Sequence, residues 1–341
     1  MSRRLVLALV GAVLVAACGG GGGGGTAATP EPAKSDLTMA LVPSSQAQQV
    51  LTSAQPIADY LSKEIGTPVK AQVPTSYAAV VEGMTSNLID IAWVGALAYV
   101  AANQKSGAEA VTKSARCAPT YSAAAPAPDC TPKPTYPSII ICSAAAGVPD
   151  LKDGGDWSAL KGKRFVFGDS ISTSSNLWPR YYMKHNKIDP DKDFSKVTSI
   201  SSQGAIALAV NNGTADCGAM FGDARTTVAR TAPDIFTKTK VVFIAPEEIP
   251  GDPQMVRKNL NPGQKDKVKA ALRKLGKDPA MKKQIDALYQ IASMEPATDA
   301  DYNPVRKVVR DVNPNVLGEA IAPPSATPSA GASAAPSASP R

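Results

Sequence analysis

Three consecutive hydroxyl side chains, Ser172, Thr173 and Ser174, stand where an apolar strand-like run gives way to a helical pattern. The run is Phe165–Phe167, and it breaks at Gly168. At a helix N-terminus, free backbone N–H groups and the positive end of the macrodipole both point outward. Neutral hydroxyls at such a terminus are suited to bind a tetrahedral oxyanion. The alternative is that they only cap the helix and shape the turn.

The elements that must position this cluster alternate between strand and helix. Strands are predicted at 37–42, 69–73, 90–94, 138–143, 164–167, 197–200, 216–221 and 241–245, and helices at 46–65, 77–86, 96–104, 205–212, 265–274 and 281–291. Nearly continuous apolar strands separated by helices predict mostly parallel sheets that are covered on both faces. A Pro- and Ala-rich insertion, 107–135, separates two α/β units, so we expect two lobes. Open parallel sheets bind ligands at the carboxyl ends of their strands, which here can face a shared cleft.

The N-terminus indicates export. Arg3 and Arg4 precede an apolar run too short to span a bilayer, and Val15–Cys18 resembles the lipobox of bacterial lipoproteins. We therefore expect residues 1–17 to be a signal peptide, Cys18 to carry lipid, and residues 18–35 to form a Gly- and Pro-rich tether. The alternative is an ordinary secretory signal with a chance cysteine. The Pro-, Ser- and Ala-rich end, 323–341, is predicted to be disordered.

The charge of the chain does not indicate nucleic-acid binding. The formal net charge is +7, and it becomes +5 without Arg3 and Arg4, since 34 Lys and Arg then face 29 Asp and Glu. The basic residues are scattered among apolar and acidic ones, which is typical of a mildly basic, solvated surface rather than a phosphate-binding face.

The remaining cysteines favour disulfides. Apart from Cys18 there are four, an even number in an oxidising compartment, and their spacing does not suit a zinc site. Three pairings are open; we expect Cys117–Cys130 to bridge the insertion and Cys142–Cys217 to join two strands of the second lobe. An exported hydrolase is a rival interpretation. The chain has a single histidine, His185, and no Gly-x-Ser-x-Gly motif, both of which count against it.

From Leu37 to Val312 the chain resembles the phosphate, phosphite and phosphonate substrate-binding proteins of ABC importers. The resemblance is carried by the order and spacing of six segments: Tyr77–Met84, Ile91–Gly95, Ser172–Ser174, Ala207–Gly213, Ile249–Pro253 and Asp299–Val305. It implies an α/β fold of the two-lobed, type II periplasmic-binding-protein class. Residues 36–135 would form the first part of lobe 1, 136–242 lobe 2, and 243–322 the second part of lobe 1.

The resemblance also implies a set of ligand-binding residues. The run Ser172, Thr173 and Ser174 would cradle the phosphoryl oxygens, in agreement with the argument from the helix N-terminus. Two tyrosines that contact the oxyanion match Tyr77 and Tyr136, and a phenol can both donate a hydrogen bond and exclude water from the cleft.

Further ligand contacts are implied for Gln203, Asp223 and Asp252. A carboxylate only accepts hydrogen bonds, so Asp223 and Asp252 would require a ligand that donates, either a protonated phosphoryl oxygen or an ammonium group, and would reject sulfate. Asp223 is shorter than the glutamate usual there, and Gln203 stands where several members have histidine, which counts against an aminoalkyl phosphonate. Asp252 could instead be only a turn residue, and Asp223 could instead pair with Arg225.

The function expected from this resemblance is ligand capture without chemistry or cofactor. The protein would be a monomer, anchored by lipid to the outer face of the cytoplasmic membrane. It would deliver a small phosphorus oxyanion to an ABC permease and its ATPase. The alternatives are a binding protein for another anion, such as a sulfonate or molybdate, and a ligand sensor for a partner receptor.

Overall fold

The computed structural model of this protein describes residues 31–124, 130–312 and 315. The expected signal peptide 1–17, Cys18, most of the tether, and the tail 323–341 lie outside the described residues. Within the described part, no helix is long and apolar enough to cross a membrane.

Strands and helices alternate over most of the chain. The strands are β1 Leu37–Leu41, β2 Val69–Gln72, β3 Ile91–Trp93, β4 Glu109–Ala115, β5 Thr135–Tyr136, β6 Ser138–Ser143, β7 Arg164–Phe167, β8 Lys196–Ser199, β9 Cys217–Phe221, β10 Thr239–Ile244, β11 Ile249–Pro250, β12 Pro253–Val256 and β13 Ser293–Pro296. The α-helices are α1 Ala47–Ile65, α2 Tyr77–Thr85, α3 Ala96–Ser106, α4 Trp178–His185, α5 Pro190–Asp193, α6 Gln203–Asn211, α7 Ile235–Lys238, α8 Pro262–Leu275, α9 Lys282–Tyr289 and α10 Asn303–Val312.

The first lobe is a six-stranded mixed sheet in the order β13-β4-β12-β3-β1-β2. Strand β1 is parallel to β2 and β3, whereas β12 is antiparallel to β3 and β4, and β13 is antiparallel to β4. One face packs against α1, α8 and α9. Helix α1 contributes Val50, Ile57, Leu61 and Ile65 to that contact at helical spacing, and it ends at Gly66, whose φ of 72° suits glycine.

The second lobe is a five-stranded mixed sheet in the order β10-β6-β9-β7-β8. Strand β7 is parallel to β8 and β9, and β6 is antiparallel to β9 and β10. Helix α6 covers one face through Ile206, Ala207 and Val210. The opposite face packs against aromatic residues including Trp178 and Tyr182 of α4.

The chain passes between the two sheets before β6 and again after β10. Where it passes, β5 and β11 pair as a short antiparallel ribbon. Helix α10 packs against both α3 of the first lobe and α4 of the second. The two lobes are therefore joined at their base by two chain crossings and one shared helix.

Three features differ from the sequence-based expectation. The sheets are mixed, as the fold class implies, but they are not mostly parallel: two pairings of five are parallel in the first sheet and two of four in the second. In the first sheet the antiparallel pairings come from β4, β12 and β13, which the apolar pattern did not predict. Strand β4 lies within the supposed insertion, and its polar Thr112 and Ser114 are buried in place of the apolar residues that mark a strand. Strand β10 also keeps the chain in the second sheet to Ile244, beyond the expected boundary at 242.

The end of the tether is attached to the first lobe. Glu31 forms an ion pair with Arg257, and Lys34 forms one with Asp90, which itself pairs with Arg257. The backbone of Lys34 also exchanges two hydrogen bonds with Gln264. Residues 31 and 34, which were expected to belong to the tether, are therefore attached to the first lobe.

Candidate functional site

A polar cavity of about 580 Å³ lies between the lobes. Six of the eight residues predicted to contact ligand line it: Tyr77, Tyr136, Ser172, Ser174, Gln203 and Asp252. Thr173 and Asp223 do not belong to the lining. Residues that the sequence analysis did not assign to the site also line it, among them Ser44, Arg116 and Tyr289.

The hydroxyl cluster begins a π-helical turn, Thr173–Leu177, that continues directly into α4. Ser172 caps this turn, because its Oγ accepts hydrogen bonds from the Ser175 backbone N–H at 3.4 Å and the Ser175 hydroxyl at 2.7 Å. Position 168, next to this turn, requires glycine, because a Cβ there would lie 1.7 Å from the Ser175 Oγ. Ser172 therefore caps the turn and also lines the cavity.

Ser174 is held between the β-sheet and α6. Its carbonyl oxygen accepts a hydrogen bond from the Ser138 hydroxyl at 2.6 Å, and its own hydroxyl lies 3.5 Å from the Gln203 Oε1. The Gln203 oxygen is already occupied by the Phe221 N–H at 2.7 Å. The amide NH₂ of Gln203 is therefore the group that this side chain can offer a ligand as a donor.

Thr173 does not cradle the cavity as expected but contacts the other lobe. Its Oγ1 accepts the backbone N–H of Leu97 at 2.8 Å, in the first turn of α3. The residue at the N-cap position of α3 is Gly95, which has no side chain to cap the helix. Thr173 thus satisfies one of the free N–H groups of α3 from across the cleft.

Further hydrogen bonds join the lobes beside the cavity, and two of them involve helix N-termini. The Gln203 N–H, at the start of α6, donates to the Ser44 carbonyl oxygen at 2.9 Å. The Tyr77 N–H, at the start of α2, donates to the Asp169 carboxylate at 3.1 Å. The N-termini of α2, α3 and α6 therefore meet at the cleft, and their positive ends favour an anion there.

The two predicted tyrosines remain neutral. Burial, followed by the nearby Asp169 and Asp252 carboxylates, raises the pKa of Tyr77 well above its usual value. Burial and then Asp252 raise the pKa of Tyr136 in the same direction. The Tyr136 hydroxyl donates to the Asp252 Oδ1 at 2.8 Å. Both phenols thus keep their proton throughout the physiological pH range.

Asp252 is paired with an arginine that the sequence analysis missed. Arg116 Nη2 donates to the Asp252 Oδ2 at 2.9 Å, and Arg116 Nε donates to the Tyr289 carbonyl oxygen at 3.1 Å. Arg116 follows β4 directly, and since β4 was not predicted, nothing in the pattern pointed to it. Asp252 therefore does not present an uncompensated charge to the cleft.

Asp223, for which a ligand contact was expected, is not among the residues that line the cavity. Its carboxylate is fully buried and pairs with Arg225, with Nη2 and Oδ2 2.6 Å apart. Arg225 also donates to the carbonyl oxygens of Thr239 and Tyr121. The alternative that the sequence left open, the ion pair with Arg225, is the one observed.

The cysteines form two disulfides. Cys142 and Cys217 face each other on β6 and β9, and Cys117 and Cys130 close a loop next to Arg116. A mutual pair of backbone hydrogen bonds between Arg116 and Lys133 also closes that loop. Among the described residues no group of three or more His, Cys, Asp or Glu is placed to hold a metal ion.

The protein has two mixed sheets with a polar cleft between them, and the N-termini of three helices meet at that cleft. This arrangement defines a two-lobed binding protein. The family of ABC-transporter phosphonate periplasmic substrate-binding proteins matches residues 39–302, and the chain belongs to it. The fold class expected from the sequence is thereby confirmed.

Individual relatives agree with this assignment. The chain is 28% identical over 274 residues to the phosphonates-binding periplasmic protein of Escherichia coli K12, covering 80% of this chain and 75% of that protein. It is 29% identical over 192 residues to the phosphate-import protein PhnD of Mycolicibacterium smegmatis, covering 54% of each.

Solved structures show the same fold. The binding-protein component of an ABC phosphonate transporter from Pseudomonas aeruginosa has a TM-score of 0.69 at 27% identity, covering 80% of this chain and 85% of that one. PhnD1 of Prochlorococcus marinus, in complex with methylphosphonate, has a TM-score of 0.68 at 21% identity, covering 82% and 98%.

Proposed function

We propose that this protein captures a phosphorus oxyanion, a phosphonate, phosphite or phosphate, and delivers it to an ABC importer. The observation that carries the proposal is the position of Ser172 and Ser174. Both residues line the inter-lobe cavity, and the turn to which they belong leads into α4. Hydroxyl and backbone donors at such a turn suit the oxygens of a tetrahedral anion. Tyr77 and Gln203 add further donors from the two sides of the cleft.

Capture would proceed by closure of the lobes on the ligand. The contacts Leu97–Thr173, Ser44–Gln203 and Tyr77–Asp169 all join the two lobes at the cavity. They can form only when the lobes are together, so a ligand that binds both lobes favours the closed state by its higher affinity for it.

Binding without catalysis is the role we assign. His185 lies on the surface, with its Nε2 3.8 Å from Asp153, and is not among the residues that line the cavity. The related proteins are named for binding and import. We propose no cofactor.

Location and partners follow from the same proposal. The family description is periplasmic. We propose that Cys18 carries a lipid that holds the protein at the outer face of the cytoplasmic membrane. There a flexible tether would keep the monomer close to its permease and ATPase and raise its effective concentration.

Calorimetry with the mature protein tests the function. The panel is phosphite, methylphosphonate, aminoethylphosphonate, phosphate and sulfate. We expect at least one phosphorus oxyanion to bind with a Kd of micromolar order or tighter, and sulfate to bind more weakly than the best of them. Absence of binding to all four phosphorus ligands, or a clear preference for sulfate, contradicts the proposal.

A further inference from the structure

Arg116 and Asp252 form an ion pair on the wall of the cavity, with side chains 12% and 24% exposed. We propose that Arg116 determines specificity: it offsets the charge of Asp252 and binds a ligand oxygen, so that the site takes the fully ionised form of the ligand. This inference rests on the proposed function and deepens it, because it names the charge state of the phosphorus ligand.

The hydrogen-bond inventory of Arg116 leaves donors for a ligand. A guanidinium has five N–H donors and stays charged in proteins. Nε donates to Tyr289 and Nη2 to Asp252, while Nη1 is buried and has no hydrogen-bond partner among the described residues. A buried donor without a partner costs about 1–3 kcal/mol, so an acceptor oxygen that reached it would bind favourably.

The hydrogen bonds of the Asp252 carboxylate indicate that it positions its neighbours. Its Oδ1 accepts from the Tyr136 hydroxyl and its Oδ2 from Arg116, so each oxygen already has a donor. The guanidinium carbon of Arg116 also lies 5.3 Å from the centre of the Tyr136 ring. Asp252 therefore orients a phenol and a guanidinium, and it no longer requires a proton on the ligand.

The backbone of Arg116 is also fixed by bonds to its neighbours. It exchanges two hydrogen bonds with Lys133, and the next residue, Cys117, is bonded to Cys130. A guanidinium fixed at both ends loses little entropy when it binds an oxyanion, and its planar fork suits two oxygens at once.

The other charged groups near Arg116 and Asp252 do not undo the offset of the Asp252 charge by Arg116. Arg230 and Asp286, which also line the cavity, are exposed and opposite in sign. Asp169 accepts hydrogen bonds from the Tyr77 and Ile171 N–H groups. Lys113, on β4, pairs with Asp301. Three phenols, those of the buried Tyr77 and Tyr136 and of the partly buried Tyr289, have a raised pKa, caused first by burial, and stay neutral.

The pH dependence of binding separates this inference from one in which Asp252 acts alone. Methylphosphonate loses its second proton near neutral pH. An uncompensated Asp252 would repel the resulting dianion, so affinity would fall as pH rises. With Arg116 in place, we expect affinity to rise from pH 5.5 to pH 8.5. The only histidine is His185, outside the cavity lining, so no histidine of the site contributes to this change.

The experiment is calorimetric titration of methylphosphonate at several pH values with wild type, Arg116→Gln, Arg116→Lys and Arg164→Gln. We expect Arg116→Gln to weaken binding at pH 8.5 at least tenfold, or about 1.4 kcal/mol, and to reverse the pH dependence. Arg116→Lys keeps the charge and should keep the direction of that dependence at lower affinity. Arg164 pairs with Asp216 on the surface of lobe 2, so Arg164→Gln is the matched control and should titrate like wild type.

Methanesulfonate, which has a similar shape and a single charge, provides a ligand control. Wild type should prefer methylphosphonate over it more strongly at pH 8.5 than at pH 5.5. The inference is overturned if wild-type affinity for methylphosphonate falls with pH, or if folded Arg116→Gln keeps wild-type affinity and pH dependence. If Arg116→Gln does not fold, loss of the rising pH dependence in folded Arg116→Lys overturns it, and its persistence supports it. If wild type binds no phosphorus ligand at any pH, the proposed function fails instead.

Discussion

Thr173 of the second lobe and Leu97 of the first are hydrogen-bonded across the cleft, with 2.8 Å between the threonine Oγ1 and the leucine backbone nitrogen. Both residues are almost completely buried. The same turn that presents Ser172 and Ser174 to the cavity thus caps a helix of the opposite lobe. Ligand binding and lobe closure are coupled through one short segment, because the turn serves both.

Removal of the Thr173 hydroxyl is expected to weaken binding by disfavouring closure. Thr173→Ala leaves the Leu97 N–H without an acceptor in the closed state only, at a cost of about 1–3 kcal/mol. Affinity for every ligand should fall by a similar factor, about tenfold or more. Calorimetry with two different phosphorus ligands checks this.

Thr173→Ser is the matched control, since it keeps the hydroxyl and should stay close to wild type. Equal affinities for the alanine and serine variants would contradict a role for this hydrogen bond. A loss confined to one ligand would contradict its assignment to closure.

Loss of the two cavity-lining serines should instead remove contacts with the oxyanion itself. Each hydrogen bond to a charged ligand contributes about 1.5–3 kcal/mol, so Ser172→Ala with Ser174→Ala should reduce affinity about a hundredfold or more. Since Ser172 also caps the turn, thermal unfolding should be measured alongside calorimetry. Unchanged affinity in a folded double variant would contradict the oxyanion site.

The sequence predicted those parts of the site that follow from local pattern. Ser172 caps a helical turn and Tyr77 begins a helix, and such helix starts can be recognised from residue order alone. Arg116 could not be found in this way, because it follows a strand with polar buried positions and its partner, Asp252, is 136 residues away. For Asp223 the sequence left two roles open, a ligand contact and an ion pair with Arg225, and the structure shows the ion pair with this residue only two positions away.

Asp223 should prove to be a residue of stability rather than of specificity. Breaking a buried ion pair by removing one partner costs about 3–5 kcal/mol, because the other charge is left uncompensated. Asp223→Asn is therefore expected to lower the free energy of unfolding, measured by urea denaturation, by an amount of this order. The ranking of ligands in the calorimetric panel should not change. A selective loss of aminoethylphosphonate binding would instead return Asp223 to the ligand site.

Four tyrosines, of which three are buried and one is partly buried, limit the stability of the protein at alkaline pH. Burial is the first cause that raises the pKa of Tyr77, Tyr136, Tyr289 and Tyr302 above its usual value of about 10. In the unfolded chain these phenols ionise near pH 10, whereas in the folded protein they keep their proton. Their contribution is therefore complete below pH 10 and is lost as pH rises toward the folded-state pKa. Each group contributes a slope of about 1.4 kcal/mol per pH unit in that range.

We accordingly expect the free energy of unfolding to show no loss from these groups between pH 8 and 9.5 and to fall steeply above pH 10. Urea denaturation at a series of pH values measures this directly. Tyr302→Phe removes one buried phenol, together with its hydrogen bond to the Gly251 carbonyl oxygen. That variant should be less stable at pH 8 but should lose stability less steeply above pH 10. Phenols that resist ionisation only in the folded protein must favour unfolding once the unfolded chain ionises. A wild-type protein that is equally stable at pH 8 and pH 11 would therefore contradict this account. So would a variant whose free energy of unfolding falls above pH 10 with the wild-type slope.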